Sequence, residues 1–270
     1  MTAARRTPAA VLALALAAVL AAALPGCVTQ TQGGANAVEH TPTEADRERG
    51  ADVHLELASL YLGRGQTATA LGEIKQVLAV KPDLPKAYDL QGLIYAAQGD
   101  NGRAQASFER ALQLAPGDGG TLHNYGWFLC QQAQYEQADA QFAKALAEPR
   151  YRDAERTLLA RGVCQARAGH WALAERTLSR SYELDPANPA TAYNLSDVLL
   201  HLGQLDRARF YVGRINASRE QSTAQSLWLA VRIEHRAGRP EAARVLGRQL
   251  LDRFPKSPEA LRYEAGKFDE

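Results

Sequence analysis

The sequence predicts an all-α solenoid of six helix–turn–helix repeats, stacked in one direction and closed by a short C-terminal capping helix. Three observations predict it. A turn residue recurs at Gly65, Gly99, Ala133, Gly169, Gly203 and Gly238, at spacings of 34 to 36 residues. Five residues after each of them stands an alanine: Ala70, Ala104, Ala138, Ala174, Ala208 and Ala243. Seven residues before each stands a mostly small residue: Ala58, Gly92, Gly126, Gly162 and Ser196, with Val231 the exception. Self-similarity at this period marks units that bury their apolar faces only by stacking on one another.

Each element has a physical cause. Two antiparallel helices approach to the near end of the 8–10 Å range only where the contact residues are small, and alanine allows this without the helix penalty of glycine. The turn glycine takes the left-handed conformation that ends a first helix. Tyr61, Tyr95, Phe108, Phe142 and Leu178 are expected to fill the space between neighbouring pairs. Second helices tend to end in proline, at Pro82, Pro116, Pro149, Pro186 and Pro255. Asn188-Pro189 and Ser257-Pro258 read as an N-cap followed by proline in the first turn. The repeats fall at about 51–84, 85–118, 119–152, 155–188, 189–222 and 224–257, and 258–270 reads as a polar cap. Repeat five lacks its terminal proline and repeat six carries Gly247 where a large residue is usual, so these two are expected to be less regular.

Six copies in register over residues 51 to about 257 resemble the tetratricopeptide (TPR) repeat family. The resemblance implies a right-handed superhelix in which the first helix of each pair lines a concave face.

Composition is that of a folded chain, with 46% hydrophobic and 23% charged residues. Only 7% is aromatic while alanine and leucine dominate, which favours closely packed helices over sheets. Arg5 and Arg6 fall in a segment expected to be removed; without them the 31 basic residues become one fewer than the 30 acidic ones. A chain so near neutrality has no electrostatic reason to hold nucleic acid or an anionic membrane surface.

The N-terminus reads as a targeting device. Arg5 and Arg6 form a positive start, and the apolar run from Ala9 to Leu24 suits a signal-peptide core but is shorter than the roughly 20 residues of a spanning helix. A twin-arginine signal is the weaker reading, because Thr7-Pro8 lacks the hydrophobic pattern that should follow. Leu24-Pro25-Gly26-Cys27 resembles the lipobox of bacterial lipoproteins, with Pro25 an unusual occupant of its position. That resemblance implies removal of 1–26 and acylation of Cys27; Val28, rather than aspartate, implies transport to the outer membrane. The polar stretch from Thr29 to about Thr43 cannot bury a core and is expected to act as a flexible tether, so the domains are 1–26, 27–43 and 44–270.

Chemistry is sought and not found. His40, His54, His123, His170, His201 and His235 are scattered, without a paired spacing or cysteine partner that suits zinc. No GxGxxG, Walker or GxSxG sequence occurs, and acidic pairs such as Glu136 and Asp139 are expected on solvated helix surfaces. Neither an enzyme, a metal, a cofactor nor a small-molecule substrate is expected. With Cys27 lipidated, Cys130 and Cys164 remain as an even pair in an oxidising compartment, near the ends of the first helices of repeats three and four. They form either a bridge between adjacent repeats or two buried thiols.

The concave face is expected to receive Asp52, Leu55, Ser59 and Leu62 from repeat one, and Lys86, Asp89, Leu93 and Ala96 from repeat two. Repeat three supplies His123, Trp127 and Gln131; later repeats add Leu159, Val163, Arg167, Tyr193, Asp197, His201, Trp228 and Arg232. The candidate partner-binding residues are Leu55, Ser59, Leu62, Asp89, Leu93, Trp127, Tyr193 and Asp197. Trp127 and Tyr193 are anchors of the kind that carry binding energy. Leu55, Leu62 and Leu93 make the early groove the most apolar part, suited to an apolar or amphipathic segment. The Lys/Asn/Arg clamp that chaperone-type repeats use for a C-terminal carboxylate is not matched, because Leu55 and Ser59 stand where its basic and amide residues belong.

Asn124-Tyr125-Gly126-Trp127-Phe128-Leu129-Cys130, Arg161-Gly162-Val163-Cys164 and Ala208-Arg209-Phe210-Tyr211-Val212 go beyond a generic repeat. With the lipobox and six repeats they resemble the type IV pilus biogenesis and stability lipoproteins, the pilotin (PilF/PilW) group, over nearly the whole chain. The resemblance implies a monomeric lipoprotein on the periplasmic side of the outer membrane that binds the pilus secretin and promotes its localisation and multimerisation. It also implies a disulfide on the residues matching Cys130 and Cys164. The competing reading is a TPR lipoprotein adaptor that brings periplasmic proteases or peptidoglycan hydrolases to their substrates.

Overall fold

Thirteen α-helices and no strand occur in residues 43–268, the part of the chain that the computed structural model describes. The expected signal segment, Cys27 and residues 28–42 lie outside it. The helices are α1 (Glu44–Gly63), α2 (Thr67–Val80), α3 (Pro85–Ala97), α4 (Asn101–Leu114), α5 (Gly119–Gln131), α6 (Tyr135–Ala147) and α7 (Ala154–Arg167). They continue with α8 (Trp171–Leu184), α9 (Pro189–His201), α10 (Leu205–Ala217), α11 (Ala224–Arg236), α12 (Pro240–Arg253) and α13 (Pro258–Glu264). At 20 residues α1 starts ahead of the repeat register, set there by a capping box between Thr43 and Asp46. Asn188 and Ser257 cap α9 and α13 from their side chains, accepting backbone N–H bonds in the first turn.

Each odd-numbered helix packs on the even one that follows, from α1 with α2 to α11 with α12. Successive pairs join in two ways. The second helix of a pair meets the first helix of the next, and the first helices also meet one another along the series α1, α3, α5, α7, α9 and α11. The second helices stand farther apart and meet through long side chains, as where Arg207 of α10 binds Glu175 of α8 at 2.6 Å and Tyr211 meets Tyr182 edge-on at 4.9 Å. When the backbones of one helix of each pair approach their equivalents more closely than those of the other, the stack curls with the closer helices inside. The first helices therefore line the concave surface of a TPR superhelix.

A size exchange inside each pair holds it together. In α3, α5 and α7 a glycine faces a large side chain of its own partner helix. A Cβ on Gly92 would lie 2.8 Å from the Phe108 ring, one on Gly126 2.9 Å from Phe142, and one on Gly162 2.5 Å from Leu178. Phe108, Phe142 and Leu178 are fully buried. The expectation that they fill space between pairs is therefore half the account. Phe108 sits on Gly92 of its own pair while its ring also lies 5.5 Å from Tyr125 and 5.6 Å from Phe128 in the next. The sixth pair reverses the exchange. Val231 occupies the small position and Gly247 the large one, and the ring of Tyr263 from α13 lies where a Cβ of Gly247 would be. The irregular glycine of repeat six is thus the seat of the cap.

Five of the six inter-helix turns carry glycine in the left-handed region, from φ 69° at Gly238 to 81° at Gly169. The sixth carries Ala133 at φ 58°, a conformation costing an L-residue on the order of 1 kcal/mol. The longer connection between α6 and α7 also has a structural use. It brings Tyr151 against Gly119, at a distance that leaves no room for a side chain there. Tyr151 then shares a 2.6 Å hydrogen bond with Thr157 Oγ1, which is 2.8 Å from His123 Nδ1.

Cys130 and Cys164 are joined as a disulfide, with Cα atoms 5.8 Å apart and 34 residues of separation. The bridge ties the end of α5 to α7 in the middle of the stack. Closing a loop of that size removes unfolded-chain entropy equivalent to roughly 3.5–4 kcal/mol. Thiol titration of the denatured, unreduced chain is expected to find neither cysteine free, and Cys130→Ala with Cys164→Ala is expected to lower the urea unfolding free energy by about 3 kcal/mol. Two titratable thiols and an unchanged midpoint would contradict the bridge.

Candidate functional site

The concave face divides into three stretches. In the first, Leu55 and Leu62 are only half-exposed, because both pack on the cluster of Ala58, Ala70, Ile74 and Ile94. Leu93 leans likewise on the cluster that holds Phe108 and Tyr125. Ser59 is exposed. Much of the apolar surface expected in the early groove is therefore engaged in packing between repeats. The more exposed apolar side chains of α1 are Val53 at 54% and Leu60 at 58%.

The middle stretch is polar and preorganised. Asp89 on α3 accepts two hydrogen bonds from Asn124 Nδ2 on α5, at 2.9 and 3.2 Å. Burial pushes the Asp89 carboxyl up to about 6, against the lowering effect of Asn124. His123, expected on the open face, is instead buried between α5 and α7 and bonded to Thr157. Burial holds its imidazole down to about 4, and the nearby Arg156 lowers it further, so it is neutral at physiological pH. Beside it Trp127 remains half-exposed, with the Arg167 guanidinium over its ring 5.2 Å from the centroid. Trp127 opens onto a depression of about 390 Å³ lined also by His123, Arg156, Leu159, Val163 and Asn194. An aromatic wall, two aliphatic residues and fixed polar groups suit an extended peptide, whose backbone needs partners wherever its side chains are buried.

In the third stretch Tyr193 and Asp197 share the concave side of α9. Burial raises the Tyr193 hydroxyl above its ordinary range, helped by the Asp197 charge. Asp197 is 3.7 Å from Arg232 on α11 and 3.9 Å from His201 one turn on. His201 stacks on Trp171 with centroids 4.0 Å apart. Trp228, expected on the open face, is only 5% exposed and lies beneath Phe268.

Asn124, Arg156 and Asn194 escaped the sequence reading. Asn124 and Asn194 stand on the stripe of first-helix positions next to the one counted, and a shallow groove is wide enough to show both. Arg156 stands on the counted stripe itself, at the repeat position of Asp52 and Lys86, and was passed over. Asp139 departs from expectation in the opposite sense. Rather than sitting on a solvated face, it binds Arg161 through two hydrogen bonds of 2.7 and 2.8 Å and accepts a third from Gln165, a clamp between repeats three and four. Arg161 holds its carboxyl below the usual range. Among the described residues no group of three His, Cys, Asp or Glu side chains is placed to hold a metal ion. Nor is any described helix long and apolar enough to cross a membrane.

Known proteins place this architecture. Profiles described as tetratricopeptide repeat match residues 85–118 and 165–229. The crystal structure of PilW, a widely conserved type IV pilus biogenesis factor, matches with a TM-score of 0.73 and 31% identity, over 79% of this chain and 97% of PilW. The type IV pilus assembly protein PilF of Pseudomonas aeruginosa is 26% identical over 253 residues, 94% of this chain and 98% of PilF. A solved structure of Pseudomonas aeruginosa PilF matches with a TM-score of 0.71 at 24% identity, a likeness of fold. The protein is thus a TPR solenoid with a side-chain-lined concave face. Within that class, the chain belongs to the PilW family of type IV pilus biogenesis factors.

The buried neutral His123 has a consequence for stability. Unfolded, it titrates near the ordinary histidine value of about 6.5. Between that value and about 4 the unfolded chain therefore binds a proton that the folded chain does not. This contribution is complete above the unfolded value and is lost as pH falls toward 4. Asp89, raised to about 6, acts in the opposite sense over an overlapping range, so a comparison with a variant isolates the histidine. His123→Gln is expected to destabilise most at about pH 7.5 and least at about pH 4.5 in urea unfolding; a gap independent of pH would place the imidazole in contact with solvent.

Proposed function

We propose that this protein is a pilotin: an outer-membrane lipoprotein, anchored through acylated Cys27, that binds the type IV pilus secretin and promotes its arrival and multimerisation in that membrane. Pilus biogenesis and stability follow from the secretin ring. One observation carries the reading, namely membership of the PilW family across the length of the solenoid. Two features of the chain support it. The lipobox-like Leu24-Pro25-Gly26-Cys27 supplies the anchor, and the concave face supplies a surface for a protein segment.

The mechanism divides the work between these features. Several acyl chains on Cys27, each methylene contributing about 0.8 kcal/mol when buried, hold the protein at the membrane. The stretch from Cys27 to Thr43 can span at most roughly 60 Å, so the solenoid stays near the membrane surface while its concave face faces cargo. Around Trp127 and Tyr193, that face holds a secretin subunit and suppresses its premature aggregation. No step requires bond making, which agrees with a scaffold rather than an enzyme.

Deletion of the gene is expected to leave secretin as monomers, mostly in the inner membrane, with no surface pili; the wild-type gene restores rings and Cys27→Ala does not. Normal heat-stable secretin rings in the deletion strain would overturn the reading. Capture of peptidoglycan hydrolases or proteases instead of secretin by the non-acylated mature protein would favour the adaptor.

A further inference from the structure

The end of the chain returns to the concave face. Beyond α13 the backbone turns at Gly266, at φ 66°, and carries Phe268 back over α11. Its ring stacks on His235 with centroids 4.2 Å apart and 22° between planes, and on Trp228 at 5.8 Å and 28°. Tyr263 closes the third side, edge-on at 6.1 Å. The Phe268 carbonyl accepts a 3.3 Å hydrogen bond from Arg232 Nε. This is the manner in which a groove holds a peptide: an aromatic side chain between aromatic walls, and a backbone carbonyl on a fixed donor.

The slot is larger than its occupant. Around Phe268 lies a hollow of about 530 Å³ lined by Leu200, His201, Arg232, His235 and Arg236. Arg232 and His201 already face Asp197, but Arg236 and His235 on the same wall leave it more basic than acidic, which favours an acidic segment. In the sequence Phe268 is followed by two acids, Asp269 and Glu270. Gly266 and Lys267 bond back to α13 through their N–H groups, at the Tyr263 and Arg262 carbonyls, whereas Phe268 meets the slot through its ring and the Arg232 hydrogen bond; its competitive strength comes from being tethered.

We propose that the C-terminal end of the concave face is a receptor slot for an extended segment of a partner protein that carries an aromatic side chain followed by acidic residues, and that Phe268 fills this slot in cis until such a segment displaces it. Trp228 and His235 read the ring, Arg232 the backbone carbonyl, and Arg236 with His201 the acidic side chains. Through Arg232 the slot adjoins Asp197 at 3.7 Å, so a bound segment can continue toward α9 along the same face. The inference concerns what the slot recognises and stands whichever envelope protein the groove serves.

The test uses the mature chain, wild type and Phe268→Ala, with a fluorescein-labelled peptide of sequence Gly-Lys-Phe-Asp-Glu and its Phe-to-Ala counterpart, read by anisotropy. The expected result is that the Phe peptide binds Phe268→Ala at least about tenfold tighter than wild type, since the tethered ring competes at an effective concentration on the order of mM. The Ala peptide is expected to bind the variant at least about tenfold more weakly than the Phe peptide does, since stacking is then lost. Equal affinity of the two peptides for the variant would overturn the slot, and equal affinity of the Phe peptide for wild type and variant would overturn its occupation by Phe268. The Trp228 indole N–H resonance gives a second reading that also reports folding. It shifts in Phe268→Ala and returns toward its wild-type position when the Phe peptide is added; a resonance unmoved by either change contradicts the proposal.

Discussion

The exchange of small for large inside each helix pair is the constraint on which the rest of this structure depends. Phe108 against Gly92, Phe142 against Gly126 and Leu178 against Gly162 bring two helices close without a cavity, and cores packed at this density do not tolerate a misplaced methyl group. With the pairs this close, the backbones of the first helices approach one another on the inside, while on the outside the second helices stand farther apart and meet through long side chains such as Arg207 and Glu175. The concave face is a consequence of that geometry. Where the exchange is reversed, at Val231 and Gly247, the vacated space receives Tyr263, and the solenoid ends there.

The repeat register was legible because its cause is local. A turn that needs a left-handed residue and a contact that needs a small one leave marks at fixed positions, and six copies separate them from chance. What was not legible lay in relations between repeats. His123 and Trp228 share a helical stripe with Trp127 and Tyr193, yet the first is closed over by α7 and the second by the returning tail. No periodicity announces that Phe268 will cross α11, because its position follows from a turn after the last helix. Asn124 and Asn194 were missed for a simpler reason: a groove displays more than one stripe of each helix. The residues of Cys130 and Cys164 left both a bridge and free thiols open; the family resemblance implied the bridge, and the fold brings the pair within bonding reach.

The irregular region between repeats three and four draws several of these features together. The longer connection supplies Tyr151 to the Thr157–His123 chain of hydrogen bonds, Asp139 clamps Arg161, and the disulfide joins α5 to α7. All three stiffen one junction, and that junction carries Trp127 and the depression beside it. A binding surface gains affinity when its walls are already ordered before the partner arrives. The most reinforced part of the stack is therefore where a partner segment is best held. The C-terminal slot, closed by a displaceable ring, is the more adaptable end of the same surface.

The central claim is that the inner face made by the first helices, and not the outer one, engages the partner. Photocrosslinking in piliated cells tests it most directly, with a photoreactive residue placed at Trp127 on the inner face or at Lys144 on the outer, and each adduct identified by mass. The account predicts a secretin adduct from position 127 and none from position 144. Adducts from position 144 alone would contradict it.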